Sequence, residues 1–243
     1  MTGLGLVAES GPVIPDFGEA SDCVQENRLF CPDWVRDNWG EVLQPALLQH
    51  VKLTAIAVAL GFVIAFGAAL VARRLSWFER PFDLVSALLY TVPSLALFQL
   101  LVPITGLTVT TVEVALVSYT LLILFRNILT GLRAVPQDVL EAARGMGMSP
   151  LQILRRVELP LALPAIMAGL RVATVSTIAL ATVAAFVIPE GLGRPIFVAL
   201  RQFFNTELIV TAALAVGLAL VADGLLVLVQ RVLTPWTRVA VRR

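Results

Sequence analysis

Long uninterrupted runs of apolar residues, rather than alternation of apolar and polar positions, dominate this chain. Five runs are long enough to cross a bilayer as helices, which takes about 20 residues: 47–71, 82–102, 109–129, 164–188 and 208–229. A backbone inside a bilayer must satisfy its own hydrogen bonds, and continuous runs favour helices over barrel strands. The pattern predicts an all-α, polytopic transmembrane helical bundle with about five spans.

Composition agrees with this prediction. The chain is 58% hydrophobic and 14% charged, whereas soluble domains carry about 25% charged residues. The fourth run has an apolar lead-in from Leu159, and a helical hairpin hidden in it is an alternative that would give six spans. Residues 1–45 lack the short apolar core of a signal peptide, so we expect the first run to be a retained membrane helix.

Basic residues concentrate in three polar segments and predict an orientation. Twelve of the 18 Lys and Arg residues lie between runs one and two, at or between runs three and four, or after run five. Cytoplasmic loops are enriched in Lys and Arg. We therefore expect an extracytoplasmic segment 1–45, a transmembrane domain 46–235 with a cytoplasmic loop 133–163, and a basic cytoplasmic tail 236–243.

The chain has only two cysteines and one histidine. Cys23 and Cys31 both lie in the predicted external segment, where an oxidising compartment would permit a disulfide between them. Two free thiols are the alternative, because sequence alone does not place the two Cα atoms within bonding range. His50 is interpreted as a satisfied interfacial residue, and with no second histidine we predict no metal site.

The longest predicted cytoplasmic loop begins with an amphipathic pattern. Val139, Ala142, Ala143 and Met146 recur at i, i+3, i+4 and i+7, which predicts a helix with one apolar stripe. Gly145 and Gly147 supply its stop. Such a stripe can lie on the membrane surface, pack under its own bundle or fill a groove on a partner, and periodicity leaves the three open.

A second short helix is predicted directly after the glycines. Ser149, Pro150 and Gln152 fit an N-cap, a first-turn proline and a capping-box partner. Pro160 and Pro164 are then expected to redirect the chain into the fourth span.

The spacing of fixed residues in this loop is distinctive. Glu141, Ala142 and Ala143 are followed after three residues by Gly147, and after nine more by the sequence Val-Glu-Leu-Pro. This resembles the EAA motif of type I, binding-protein-dependent ABC importer permeases, with valine for isoleucine as the one departure. The resemblance implies that family's fold and a coupling helix seated in a cleft of an ATPase. The residues it assigns to coupling are Glu141, Ala142, Ala143, Gly147, Val157, Leu159 and Pro160.

Five other segments resemble the osmoprotectant permeases, which import glycine betaine, carnitine and choline. They are residues 90–97, 126–132, 157–164, 168–171 and 191–193. The likeness covers about residues 47–235, although 189–195 depart from the glycine-rich form expected there. It implies a protein of the bacterial inner membrane, surrounded by lipid. The implied partners are an ATPase dimer, a second permease copy and an extracytoplasmic substrate-binding protein, and nucleic acid is not among them.

The chain has no Gly-rich Walker loop. We therefore expect it to bind no cofactor and to be no enzyme, with ATP and Mg²⁺ used by the partner ATPase. The same machinery with another cargo, such as an amino acid or another betaine, is the main alternative. A membrane enzyme would need paired catalytic groups, and a secondary transporter two related halves; the sequence offers neither.

Five residues are candidates for the substrate pathway: Tyr90, Pro93, Ser94, Tyr119 and Asp223. The two tyrosines could offer π faces to a quaternary ammonium group or could simply pack. Pro93, beside Ser94, would free a carbonyl and bend the second span. Asp223 either faces the pathway or bonds a neighbouring helix, whereas Arg171 is interpreted as snorkelling to the cytoplasmic interface.

Overall fold

The computed structural model describes residues 22–236, and every regular element within that range is helical. Two π-helical turns, Trp39–Leu43 and Leu154–Glu158, connect α2 to α3 and α8 to α9 without a break. The all-α prediction is confirmed; the parts of the predicted end segments at 1–21 and 237–243 lie outside the described residues. The helices are α1 Asp22–Gln25, α2 Pro32–Asn38, α3 Gln44–Arg74, α4 Ser76–Thr91, α5 Ser94–Thr105, α6 Val109–Arg133, α7 Gln137–Gly145, α8 Pro150–Ile153, α9 Leu159–Ala184, α10 Gly193–Gln202 and α11 Asn205–Leu233.

Four helical stretches are long and apolar enough to cross a membrane: Pro32–Arg74, Val109–Arg133, Pro150–Ala184 and Asn205–Leu233. The pair α4 and α5 supplies a fifth if it counts as one broken span. The prediction of about five spans is therefore confirmed. The hairpin alternative is wrong, because the fourth region contains one unbroken helix, α9.

The second predicted span is not one helix. α4 and α5 meet at 105°, with Val92 in an extended conformation between them. Pro93 explains this, because a proline disfavours helical backbone in the residue before it and lacks the N–H that a continuing helix would use. The predicted bend at Pro93 is thus a complete break.

The second predicted loop helix is not separate from the fourth span. α8 passes through the π turn Leu154–Glu158 into α9, so Pro160 and Pro164 do not redirect the chain. Proline has no N–H and cannot bond the carbonyl four residues before it, as a regular α-helix requires. The wider π turn just before Pro160 interrupts that bonding pattern, so the helix continues through the proline. The result is one continuous helix of 35 residues.

Two core clusters at different depths show how α3, α6 and α9 run. One cluster joins residues 65–72 of α3, 124–132 of α6 and 162–173 of α9. The other includes Ala57, residues 112–119 of α6 and the stretch from Ala181 onward. α3 and α6 are therefore parallel, and α9 is antiparallel to both. In the structure Cys23 and Cys31 form a disulfide, with their Cα atoms 5.8 Å apart. We call the end with Arg73, Arg133 and α7 the loop end, and the end with this disulfide, Gly106 and α10 the disulfide end.

Small residues allow α3 to approach its neighbours closely. Ala65, Ala69 and Ala72 are almost fully buried in the loop-end cluster. A Cβ built on Gly61 would lie 1.8 Å from the hydroxyl oxygen of Thr120 on α6. Because apolar burial gives membrane helices little preference for one another over lipid, close contact of this kind contributes much of their association.

Ion pairs link the helices in the half nearer the loop end. Arg126 pairs with Asp83 through two bonds of 2.6 and 2.9 Å, and Arg133 pairs with Glu79 through two of 2.7 and 2.5 Å. Both join α6 to α4. A planar guanidinium that holds both carboxylate oxygens also fixes orientation, so the two pairs set the register of α4 against α6.

His50 is fully buried. Its Nε2 lies 3.0 Å from the carbonyl oxygen of Ile178, and its Nδ1 accepts a hydrogen bond of 3.2 Å from the backbone N–H of Leu192. These partners require the neutral ring with the proton on Nε2. His50 therefore connects α3 to α9 and to the turn before α10.

We predict that Gly61→Ala lowers the unfolding temperature of the purified protein in detergent by about 3–10 °C, because overpacking a tight contact costs about 1–3 kcal/mol. Gly67→Ala on the same helix is the control, since a Cβ there meets nothing within 4 Å. Adding Thr120→Ala to Gly61→Ala should recover part of the loss. Equal unfolding temperatures for the two single variants would contradict the close approach.

Candidate functional site

The first half of the EAA segment forms a short, exposed helix. α7 spans nine residues and begins directly after Pro136. Of the predicted stripe, Ala143 is buried, whereas Val139, Ala142 and Met146 are exposed. Met146 is 74% exposed. The apolar face that periodicity predicts is therefore largely uncovered in the single chain.

Gly147 ends α7 in a left-handed turn. Its φ is +78°, its N–H bonds the carbonyl of Arg144, and the N–H of Met148 bonds the carbonyl of Ala143. These are the two hydrogen bonds of a Schellman motif, which favours glycine at this position. A Cβ there would meet no atom within 4 Å, so the backbone conformation rather than crowding within the chain favours glycine.

The capping box after Gly147 is present. The N–H of Gln152 bonds the hydroxyl of Ser149 at 3.4 Å, and the N–H of Ser149 bonds the side-chain oxygen of Gln152 at 2.7 Å. α8 therefore begins at Pro150, three residues after Gly147. The bend between α7 and the long helix is short and bonded on both sides.

The second half of the motif lies away from the exposed helix. Val157, Leu159 and Pro160 are half-buried where the π turn enters the bundle, and Leu159 packs against the loop-end core. The structure thus divides the predicted coupling residues into a group on and after α7, exposed except for Ala143, and a group in the bundle wall.

An ion pair with a buried carboxylate and an exposed arginine stands beside the second group and was not predicted from sequence. Glu158, only 2% exposed, bonds the guanidinium of Arg73 at the end of α3. Glu158 occupies the variable position of the motif, and Arg73 counted in the sequence only as loop charge. No local signal connects residues 85 positions apart, so only the three-dimensional packing reveals the pair.

A tyrosine on α6 bonds the backbone at the break between α4 and α5. The hydroxyl of Tyr119 on α6 donates a hydrogen bond of 2.5 Å to the carbonyl of Val92. Tyr119 is buried, whereas Tyr90 is 42% exposed and meets the Tyr119 ring edge-to-face at 6.0 Å. Four of the predicted pathway residues therefore lie together at the break: Tyr90, Pro93, Ser94 and Tyr119. The Tyr119 hydroxyl is used in a backbone hydrogen bond, whereas the Tyr90 ring remains exposed.

Asp223, the fifth predicted pathway residue, lies elsewhere. Both of its carboxylate oxygens accept hydrogen bonds from Arg171 on α9, at 2.7 and 2.9 Å. The structure thus places Asp223 in a bond to a neighbouring helix, and Arg171 pairs with it instead of snorkelling. The two charges offset each other, which explains how both are accommodated within spans.

Comparison with known families assigns most of the chain to one model. Residues 57–239 match the family described as "Binding-protein-dependent transport system inner membrane component". The matched range contains both core clusters and the whole EAA segment. It begins after the disulfide and the first π turn.

Characterised relatives align with most of the chain. The choline transport system permease protein OpuBB of Bacillus subtilis is 37% identical over 203 residues, which cover 83% of this chain and 93% of that protein. The glycine betaine/carnitine/choline transport system permease protein OpuCB of the same organism is 34% identical with the same coverage. The osmoprotectant import permease protein OsmW of Salmonella typhimurium is 37% identical and covers 83% of this chain and 96% of its own length. The predicted resemblance to osmoprotectant permeases is confirmed.

The fold has solved counterparts. A chain of the MetNI methionine ABC transporter, in an inward-facing conformation, superposes with a TM-score of 0.69 over 79% of this chain and 96% of its own. The identity is 20%, so this likeness concerns the fold alone.

We predict that Tyr119→Phe destabilises the protein by about 1–3 kcal/mol, because it leaves the Val92 carbonyl without its hydrogen bond inside the bundle. Tyr90→Phe, which makes the same chemical change on the neighbouring exposed ring, should alter stability by less than about 0.5 kcal/mol. Unfolding in detergent measures both. Equal effects would show that the Tyr119 hydroxyl does not support the break.

Proposed function

The chain belongs to the family of binding-protein-dependent transport system inner membrane components, and on that premise we propose that it imports a small quaternary ammonium osmoprotectant such as choline or glycine betaine. The main support for this cargo is sequence similarity. The chain is 34–37% identical, over 83% of its length, to permeases named for choline and for glycine betaine, carnitine and choline. The chain is accordingly a multi-pass permease subunit.

The proposal includes an orientation and a set of partners. The loop end faces the cytoplasm, since the segments there carry most of the arginines, and the disulfide end lies outside. Two permease copies, identical or paralogous, enclose the path between them. A cytoplasmic ATPase dimer uses ATP and Mg²⁺, and an extracytoplasmic binding protein delivers the cargo. This chain itself binds no cofactor.

α7 is the part of the chain that docks on the ATPase. Fully burying an exposed apolar side chain contributes about 1.5–3 kcal/mol. Met146, 74% exposed, gains most of that on docking, and Val139, 36% exposed, gains a smaller part. Ala142, exposed beside them, lets a partner surface come close, and Glu141 is free to meet a basic group across the interface. Membrane-surface binding is less favoured, because α7 carries Asp138 and Glu141 against the single Arg144.

Movement of α7 is transmitted to the substrate pathway through one continuous helix. The bonded turn at Gly147 joins α7 to the continuous helix Pro150–Ala184. Glu158 ties the start of that helix to Arg73 of α3. A displacement of α7 by the ATPase therefore moves α9 and α3 together. It shifts the equilibrium between inward-open and outward-open states by the difference in contact energy between them.

The cargo meets the permease at the break between α4 and α5. Choline, glycine betaine and carnitine share a trimethylammonium group, and an exposed aromatic face binds such a cation with about 0.5–2 kcal/mol. Tyr90 offers this face beside Pro93 and Ser94, while Tyr119 holds the break in place. Discontinuous helices commonly form transporter sites, because their ends present backbone groups to the ligand.

We predict that Val139→Asp and Met146→Asp each abolish cargo uptake and reduce co-purification of the ATPase at least tenfold, because a charge replaces an apolar contact in the docked state. Gln137→Asp, an exposed change on the same helix away from the stripe, is the control and should retain both. Permease content of the membrane is measured in parallel. Normal ATPase capture by the two stripe variants would argue against docking through α7.

We predict a graded response at Tyr90. Tyr90→Phe should retain uptake of choline and glycine betaine, since the π face persists, whereas Tyr90→Ala should raise the apparent KM about 2- to 30-fold. Uptake is measured in proteoliposomes with an excess of loaded binding protein. A panel that includes methionine tests the alternative of an amino-acid cargo, and transport of methionine alone would exclude the osmoprotectant proposal.

A further inference from the structure

Residues 22–38, which we call the brace, pack against the corner between α10 and α11, residues 202–206. The brace consists of α1, α2 and the loop between them, and the disulfide from Cys23 to Cys31 closes that loop. It lies before the range matched by the family model, which starts at residue 57. Its contacts are thus an addition to the part of the chain that defines the family.

Two strained residues meet at this contact. Asn27 and Phe203 have φ values of 50° and 55°, and among residues 22–236 no other non-glycine residue has a positive φ. Asparagine tolerates the left-handed conformation, whereas phenylalanine rarely adopts it. The side-chain amide of Asn27 donates a hydrogen bond of 2.7 Å to the carbonyl of Phe203. The N–H of Phe204 also bonds the Ala199 carbonyl at the end of α10. The brace therefore adds a bond to a corner whose conformation phenylalanine disfavours.

Further bonds extend this contact into the first turn of α11. The N–H of Asn205 donates to the side-chain oxygen of Asn27 at 2.9 Å, and its side-chain amide donates to the Asn27 carbonyl at 3.1 Å. The hydroxyl of Thr206 donates to the Arg28 carbonyl at 2.8 Å. Helix N-termini have unsatisfied N–H groups, and here a distant segment of the chain supplies the partner.

Apolar packing surrounds these hydrogen bonds. Phe204 is buried in a small cluster with Val24 and Cys31, and the ring of Trp34 meets it edge-to-face at 5.2 Å. The disulfide positions Cys31 in this cluster. The brace thus has its own small core, and that core includes a residue of the corner.

α11 packs on α9 along much of its length, mostly through half-buried side chains. Its buried residues are Thr206, Glu207 and Thr211, all in the first two turns. Farther along, the pair of Asp223 with Arg171 connects α11 to α9. The most deeply buried part of α11 is thus the end that the brace bonds.

We propose that the brace holds the first turn of α11 as a fixed pivot for span five during transport, with Asn27 as its positioning residue. The inference rests on the proposed function, because a pivot has meaning only for a bundle that changes between two states. The remainder of α11 moves about this pivot while the disulfide end stays in register with α10. Loss of the pivot lets α11 respond incompletely to the ATPase.

The first test is hydrogen exchange in the complete importer, reconstituted in lipid nanodiscs. Asn27→Gly keeps the left-handed conformation available and removes both side-chain bonds to the corner. We expect amides of residues 203–211 to exchange about tenfold faster, with α6 unchanged. Asn27→Asp, which keeps the acceptor for Asn205 and loses the donor to Phe203, should be intermediate. Unchanged exchange in Asn27→Gly would overturn the proposal.

The second test measures coupling with the same variants in proteoliposomes. For Asn27→Gly we expect uptake per assembled complex to fall at least threefold while binding-protein-stimulated ATP hydrolysis stays within twofold of wild type, so that more ATP is used per molecule imported. Thr206→Val, which removes the bond to Arg28 with little change of shape, should act in the same direction. A merely structural role would lower the amount of assembled complex and leave the ratio of ATP to cargo constant, and that result would also overturn the proposal.

The two proposals fail in different ways. If the wild-type complex imports no osmoprotectant, the proposed cargo is wrong, while the exchange experiment still decides whether the brace fixes the corner. If wild type imports normally and Asn27→Gly has the same ratio of ATP to cargo, only the pivot is wrong.

Discussion

Backbone hydrogen bonding inside a membrane is the constraint on which this structure depends. Lipid offers no partner for an N–H or C=O group, so each interruption of a helix must be closed by the protein. Where Pro93 breaks the second span, the hydroxyl of Tyr119 bonds the Val92 carbonyl. Where the chain turns before α10, the side chains of Gln49 and His50 accept bonds from Gly191 and Leu192. The irregular backbone near the spans is therefore fixed by particular side chains on neighbouring helices.

The EAA segment lies outside the spans, and its turn is also closed by hydrogen bonds. Its two halves differ in exposure, with α7 uncovered and Leu159 packed in the bundle. The Schellman bonds after Ala143 and the capping box at Ser149 leave a turn of only a few residues. A short turn bonded on both sides transmits displacement more directly than a loose loop would.

Local features were predictable from sequence, and distant pairings were not. The glycine stop at Gly147 and the capping box at Ser149 depend on residues within a few positions of one another, and spacing alone predicts them. The number of spans follows from the length of the apolar runs. In contrast, Arg171 and Asp223 are 52 positions apart, and either residue alone suggests a different role. The burial of His50 likewise depends on which elements lie alongside it.

The arginines at the loop end act at two stages in the life of the protein. With that end in the cytoplasm, as proposed, Arg73, Arg126 and Arg133 retain the newly made loops on that side while the spans insert. Once the bundle has folded, the same three residues pair with Glu158, Asp83 and Glu79 from other segments. The same charges thus direct membrane insertion and later align the folded helices. Exchanging Arg126 or Arg133 for lysine would preserve the insertion signal and would remove the two-pronged geometry that aligns α4 with α6.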